Sequence, residues 1–180
     1  DEINFAELFS HIDVIIYAAG VDERQAPKGD AYTFFYQENV TTCINILAKA
    51  KQHGVKKALV LGSIFSHLNE QYPELELAQH HPYIRSRTEQ KQQCLALANQ
   101  HFQVNVIEIP FVFGYTPQQN SIWKTLYNYI KLATPLIVTP GGANVISVNS
   151  VAKAILGVIH YIDYSGGIVI GDENLTWQQM

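Results

Sequence analysis

DVIIYAAG, residues 13–20, decides how the whole chain is read. The run Val14 to Tyr17 is apolar at every position, which suits a strand buried on both faces, while Ala18, Ala19 and Gly20 suit a turn that another group approaches closely. A strand covered on both faces belongs to a parallel sheet, and parallel neighbours need helical crossovers. NVTTCINILAKAKQHG (39–54) supplies the first: Val40, Cys43, Ile44 and Leu47 fall at i, i+3, i+4 and i+7, and Gly54 terminates the pattern. VKKALVLGS (55–63) then reads as a second buried strand, and TEQKQQCLALANQHF (88–102) as the body of a second long helix. VNVIEIPFVFG (104–114) reads as a third strand running into a loop with Pro110 inside it.

Further on, SIWKTLYNYIKLA (121–133) predicts a third amphipathic helix with Trp123, Leu126, Tyr127 and Ile130 on one face. The short runs LIVTP (136–140) and ISV (146–148), a helix over SVAKAILGVIHYI (150–162) and a strand over GGIVIGD (166–172) complete the chain. Strands alternating with helices predict an α/β chain with a parallel sheet covered on both faces. Residues 1–12 read as a helix feeding the first strand, and Thr176 as a helix cap with barely one turn after it. A parallel domain is not expected to start at a middle strand or stop at a helix start, so flanking residues are expected beyond both ends.

With 180 residues the chain is long enough for a core of its own. It is 47% hydrophobic and 16% charged, with a formal net charge of −4. A mildly acidic chain without a basic stripe offers no electrostatic basis for nucleic acid, and its apolar runs are too short for a membrane span. Cys43 and Cys94 fall on apolar helix faces with no CxxC and no histidine at ligand spacing, so both are expected to be buried reduced thiols and no metal site is expected.

HPYIRSRTEQ (81–90) carries the chemistry most in need of explanation. In a helix, Tyr83 and Arg87 stand at i and i+4, so the guanidinium can lie beside the phenol. The plainer alternatives are a stacked tyrosine and a solvated arginine paired with Glu89 or Glu108. Ser63 directly follows Gly62 at a strand end, a place where serine is often a backbone cap. Asn39 reads as a helix cap or a residue bridging strands by hydrogen bonds, Asn149 as a helix cap, Pro110 as a strand breaker, and Phe111 and Phe113 as core or pocket wall.

In this order the motifs resemble the extended branch of the short-chain dehydrogenase/reductase family, the epimerases, dehydratases and ketone reductases. DVIIYAAG resembles the strand ending in His-x-Ala-Ala, with Tyr17 in the histidine position; VKKALVLGS resembles the strand ending in the catalytic serine, here Ser63. YIRSR resembles Tyr-x-x-x-Lys with Arg87 for the lysine, IPFVFG the Arg-Pro-x-x-x-Tyr-Gly loop, and ISVNSVAKAI the His-Val-x-Asp-Val-Ala helix start. The resemblance implies a Rossmann-type doubly wound sheet in three αβα layers with a small C-terminal substrate-binding lobe. Residues 1–115 would be the later part of the dinucleotide-binding domain and 116–180 a mixed region of lobe elements and returning strand and helix. The glycine-rich G-x-x-G-x-x-G turn does not occur in the sequence, which fits a first βαβ unit preceding Asp1.

Carried over residue by residue, the resemblance implies NAD or NADP as cofactor, contacted by Ala18, Ala19, Gly20, Tyr83, Arg87, Pro110 and Val112. Tyr83 would be the acid/base, Ser63 the donor that orients the substrate oxygen, and Arg87 the cation in the lysine position. The implied function is NAD(P)-dependent oxidation, reduction, epimerisation or dehydration at a carbonyl or hydroxyl carbon of a small molecule or sugar derivative. It also implies a cytoplasmic homodimer paired through the helices at 39–53 and 83–102. PGGANVISV lacks the arginine often set against a diphosphate, which favours a less charged carbonyl compound over a nucleotide sugar. Because arginine does not replace lysine conservatively, the alternative is a dinucleotide-binding protein with impaired catalysis that acts as a redox sensor or interaction module.

Overall fold

The computed structural model describes residues 4–114, 123–132, 135 and 137–180. The first half of the chain runs α1 (Phe5–Leu8), β1 (Val14–Tyr17), α2 (Ala31–Phe35), α3 (Thr42–Gln52), β2 (Lys57–Leu61), α4 (Ile64–Gln71), α5 (Leu77–His80) and α6 (Pro82–Ala96). The second half runs β3 (Gln103–Glu108), β4 (Phe111–Phe113), α7 (Trp123–Leu132), β5 (Gly142–Ser147), α8 (Val148–Tyr161), β6 (Gly166–Val169) and β7 (Glu173–Thr176). Four strands make one sheet in the order β1-β2-β3-β6, every neighbouring pair parallel.

Alternation along the strands sorts the core into two faces. On one, Cys43, Leu47 and Ala50 of α3 and Cys94 of α6 pack against Tyr17, Ala58, Val60, Val104 and Val106. On the other, Val158 of α8 packs against Leu59 and Ile107. This is the expected Rossmann-type parallel sheet with helices on both faces. Cys43 and Cys94 are free thiols with their Sγ atoms 3.6 Å apart and no exposure, and the Cys43 thiol together with burial pushes the Cys94 thiol up.

Two devices lock helices to this sheet. Gly54, at φ +87, ends α3 in a left-handed turn: Gly54 N donates to Lys51 O and Val55 N to Ala50 O, which satisfies carbonyls the helix leaves bare. At the far end, the buried Lys57 ammonium donates to the carbonyls of Val158, Ile159 and Ile162 and so caps the C-terminus of α8, where a cation also suits the helix dipole.

Several expectations need correction. VNVIEIPFVFG is two strands: β3 stops at Glu108, and after Ile109 and Pro110 the chain leaves as β4 for a second sheet of order β4-β5-β7. Pro110 has no N–H to give to a ladder. The region before Asn39 is helical from Ala31, where Asp30 accepts from Thr33 N, and a π-turn at Tyr36–Thr41 joins it to α3. The cap of α8 is Ser147, which accepts from Ser150 N, so Asn149 lies inside the first turn. Of the helix read over residues 1–12, the described residues form the single turn α1, and residues 1–3 lie outside the described residues. The boundary between 115 and 116, and residues 121, 122 and 133 of the expected third helix, lie outside the described residues.

Burial pushes the Tyr17 phenol up to about 12. Its folded value therefore lies above its unfolded value of about 10, so the neutral phenol's contribution to stability is complete below that pH and is lost as pH rises through the folded value. Urea denaturation should show stability falling between pH 10 and about 12, with a smaller fall in Tyr17→Phe. Parallel curves for the two proteins would refute this.

Candidate active site

The carboxyl ends of parallel strands, with the N-termini of following helices, leave a crevice where ligands gather. At that edge a cleft of about 470 Å³ is walled by Ser63, Tyr83, Pro110, Phe111, Val112, Trp123 and Trp177, with Asp22, Glu23 and Arg24 at one side. Three separate expectations from the sequence thus meet: the serine after β2, the tyrosine at the start of α6 and the loop after β3.

Ser63 is buried and caps α4, accepting from Phe65 N at 3.3 Å. A hydroxyl has one donor and two acceptor lone pairs, so capping leaves its O–H able to donate into the cleft. The backbone-cap reading is the one observed, and the capping serine also lines the cleft. Tyr83 follows Pro82 at the first position of α6, where the missing N–H costs nothing. Its ring is fixed edge-on by Phe35 at 5.5 Å and Phe65 at 6.3 Å.

Arg87 is not solvated and pairs with neither expected carboxylate. It is 8% exposed; its Nε donates to Tyr83 Oη at 3.3 Å, Nη1 to Gln90 Oε1 at 2.9 Å and Nη2 to Val21 O at 3.2 Å. Glu89 instead accepts from Arg85 on the outer face of α6, and Glu108 from Lys91. The helical repeat explains this: Arg87 lies below Tyr83 on the inward stripe, whereas Glu89 shares the outward one with Arg85.

Asn39 is not a helix cap but the bridging residue. Sitting in the π-turn, it accepts from Val21 N at 2.8 Å and donates to Val21 O at 3.2 Å, while its own carbonyl accepts from Gln90 Nε2 at 2.6 Å. Such turns are rare and concentrate at functional sites. Gly20 completes the arrangement: at φ +150, a Cβ there would lie 2.9 Å from Asn39 Oδ1 and 3.1 Å from Arg87 Nη2. The segment leaving β1 is therefore bolted to α6 through buried polar groups.

Ala18, Ala19 and Gly20 are exposed at the carboxyl end of β1 and do not form walls of the cleft. Pro110 and Val112 do, and Val112 O accepts from Trp123 Nε1 at 2.9 Å. This rim of small residues beside an apolar wall fits a flat ring system lying across the strand ends. Sequence reasoning missed Gln90, Trp177 and the Asp22–Arg24 pair, in which the arginine holds the Asp22 carboxyl below its usual range. Trp177 has no sequence signature, whereas Asp22 and Gln25 form a capping box around a short 3-10 turn at Glu23–Gln25, and that spacing could have pointed to the pair. A second cleft of about 910 Å³ shares Ile64, Phe65, Phe111 and Trp177 with the first and continues past His67, Tyr72, Asn144 and Asn174. Its described walls include no Asp, Glu, Lys or Arg.

A sequence model described as the NAD dependent epimerase/dehydratase family matches residues 1–171. The chain belongs to that family. As the description of the family says, its members depend on NAD, in agreement with the expected nicotinamide cofactor. Solved structures with this fold include MoeE5 in complex with UDP-glucuronic acid and NAD, with a TM-score of 0.71 and 14% identity over 98% of this chain and 62% of that one. The UDP-N-acetylglucosamine 4-epimerase from Methanobrevibacter ruminantium M1, in complex with UDP-N-acetylmuramic acid, gives 0.70 and 18% over 98% and 61%. The protein gox2253 gives 0.76 and 15% over 95% and 54%. The chain thus spans about three fifths or less of the length of these structures. No curated protein matches it.

An Arg87→Lys substitution removes a fork that bonds three acceptors on two elements, and a single ammonium on a shorter reach cannot replace all three. Chemical denaturation should show a loss of about 2 kcal/mol, the scale for buried acceptors left unpaired. Unchanged stability would mean that the arginine network does not hold the β1 exit.

Proposed function

We propose that this epimerase/dehydratase family member catalyses NAD-dependent hydride transfer at a carbonyl or carbinol carbon of a weakly charged small molecule. The observation that carries this reading is the convergence of Ser63 and Tyr83 on one cleft at the carboxyl edge of the parallel sheet, with the Arg87 Nε donating to the Tyr83 oxygen. NAD, when bound, supplies or accepts hydride at the substrate carbon. Ala18, Ala19, Gly20, Pro110 and Val112 would border it.

In the direction of reduction Tyr83 Oη gives a proton to the substrate oxygen, and in oxidation it takes that proton back. Ser63 donates its O–H to the same oxygen and fixes its direction. Arg87 keeps the phenol aimed and places a positive charge beside it. The walls of the second cleft, largely apolar with a few amide and hydroxyl groups and without Asp, Glu, Lys or Arg among the described residues, support a substrate with an uncharged substituent of some size, in contrast to the nucleotide sugars named for the solved structures.

In the full-length protein, Tyr83→Phe should lower NADH turnover on a panel of aldehydes and ketones by about 100-fold or more while NADH binding, followed by calorimetry, is retained. Turnover that survives the substitution would sink the reading.

A second reading has its own observation: the fork of Arg87 is already spent on Tyr83, Gln90 and Val21. A dinucleotide binder with impaired catalysis, working as a redox sensor or interaction module, fits an arginine so engaged. Cofactor binding without turnover, in both wild type and Arg87→Lys, would favour it. The homodimer is part of the first proposal, through the outer faces of α3 and α6, where Thr42, Asn45 and Gln92 are exposed. A monomer in sedimentation equilibrium would remove it.

A further inference from the structure

Behind the cleft lies a charged cluster that the proposed chemistry does not use. Lys91 is 6% exposed and Glu108 1%, yet their side chains meet at 2.9 Å between α6 and the end of β3. Glu70, at the end of α4, is a second, more exposed partner of the same ammonium. Burial disfavours the Lys91 charge, but the hydrogen bonds that its ammonium donates to Glu70 and Glu108 outweigh this and raise its pKa. Space for the pair is left by β6, since a Cβ at Gly167 would lie 2.8 Å from both Glu108 Oε2 and Lys91 Cε.

Buried ion pairs seldom stabilise a fold better than well-packed apolar residues of the same volume. What this one touches therefore matters. Glu108 Oε1 also accepts from Ser66 Oγ at 2.8 Å, and the same hydroxyl lies 2.6 Å from Ser63 O. Ser66 N donates to that carbonyl too, at 3.1 Å. The Ser63 carbonyl is thus held by the Ser66 N–H and shares the single Ser66 hydroxyl proton with the Glu108 carboxylate, which is in turn held by α6. Tyr83, Arg87 and Lys91 follow one another at intervals of four on that helix, so the cluster ties the element carrying the tyrosine to the turn carrying the serine.

We propose that Glu108 and Lys91 are positioning residues that, through Ser66, fix the Ser63 turn against α6 and so aim the Ser63 hydroxyl into the cleft. This rests on the proposed hydride-transfer reading for its catalytic consequence, but the clamp itself is a property of the fold. Misplacing an orienting group by about 1 Å can cost on the order of 100-fold in rate.

The test uses the full-length protein, NADH and the same carbonyl panel. Ser66→Ala cuts the link while leaving the ion pair; the double variant Glu108→Leu with Lys91→Met removes the pair at similar volume. Either should lower kcat by about 10–100-fold with KM and NADH affinity little changed, and the triple variant should lose no more than either alone, since the groups act as one unit. Hydrogen exchange at residues 63–66 should quicken while β2 and β3 keep their protection. Additive losses, unchanged kcat, or unchanged exchange at 63–66 would overturn the proposal. If wild type shows no turnover, or Tyr83→Phe keeps it, the reading of the site fails instead, and the exchange measurement still decides whether the clamp exists.

Discussion

The buried guanidinium of Arg87 is the constraint on which the site depends. A cation taken from water must have its donors satisfied, and here its nitrogens donate to a phenol and an amide side chain on α6 itself and to the Val21 carbonyl beyond β1. Moving any one of these leaves a buried donor unpaired, so the β1 exit, the π-turn and the start of α6 are held in one arrangement. Asn39 and Gln90 close the circuit, each satisfying backbone groups that would otherwise be stranded beneath the loop.

The opposite edge of the sheet is built on the same principle with different groups. Lys57 caps α8, and Gln103 and Asn105 donate to the carbonyls of Ile162 and Tyr164, so the return from α8 to β6 is fastened by buried polar atoms. Apolar packing sets the layers, since Leu59, Val60, Val104, Val106 and Ile107 are fully buried. Direction and register at both edges come from hydrogen bonds, which are specific where hydrophobic contact is not. The result is a slab with an apolar interior, and the candidate site lies at the carboxyl edge of its strands.

The sequence disclosed the slab readily because its strands are apolar runs bounded by small residues, and because α3 and α8 keep a clean apolar stripe. Through the order of short motifs it pointed to Ser63, Tyr83, Pro110 and Val112, which line one cleft in the structure. It concealed the environment of Arg87, and the reason is physical. α6 reads as PYIRSRTEQKQQCLA, and Ser86, Arg87, Thr88, Gln90 and Lys91 are all buried in it. A helix whose inward face is polar has no apolar stripe to mark that face, so the charged residues look solvated until the partners are in place. The same ambiguity hid Asn39, whose partners lie at the end of another strand, and the break at Pro110, where one apolar run feeds two sheets.

The π-turn at Tyr36–Thr41 has a consequence for how this chain is compared with its relatives. A π-turn closes its hydrogen bond one residue later than an α-turn, so the helix takes in an extra residue without lengthening in proportion. A comparison that slides one uninterrupted helix along another will therefore be correct on one side of this turn and a residue out of phase on the other. Asn39 sits inside that slip, and neither neighbour can replace it: Val40 has no polar side-chain group, and Glu38 can accept from Val21 N but has no N–H for Val21 O. Distant relatives of this chain are best matched here by superposing backbones, with a one-residue gap allowed in the middle of a helix.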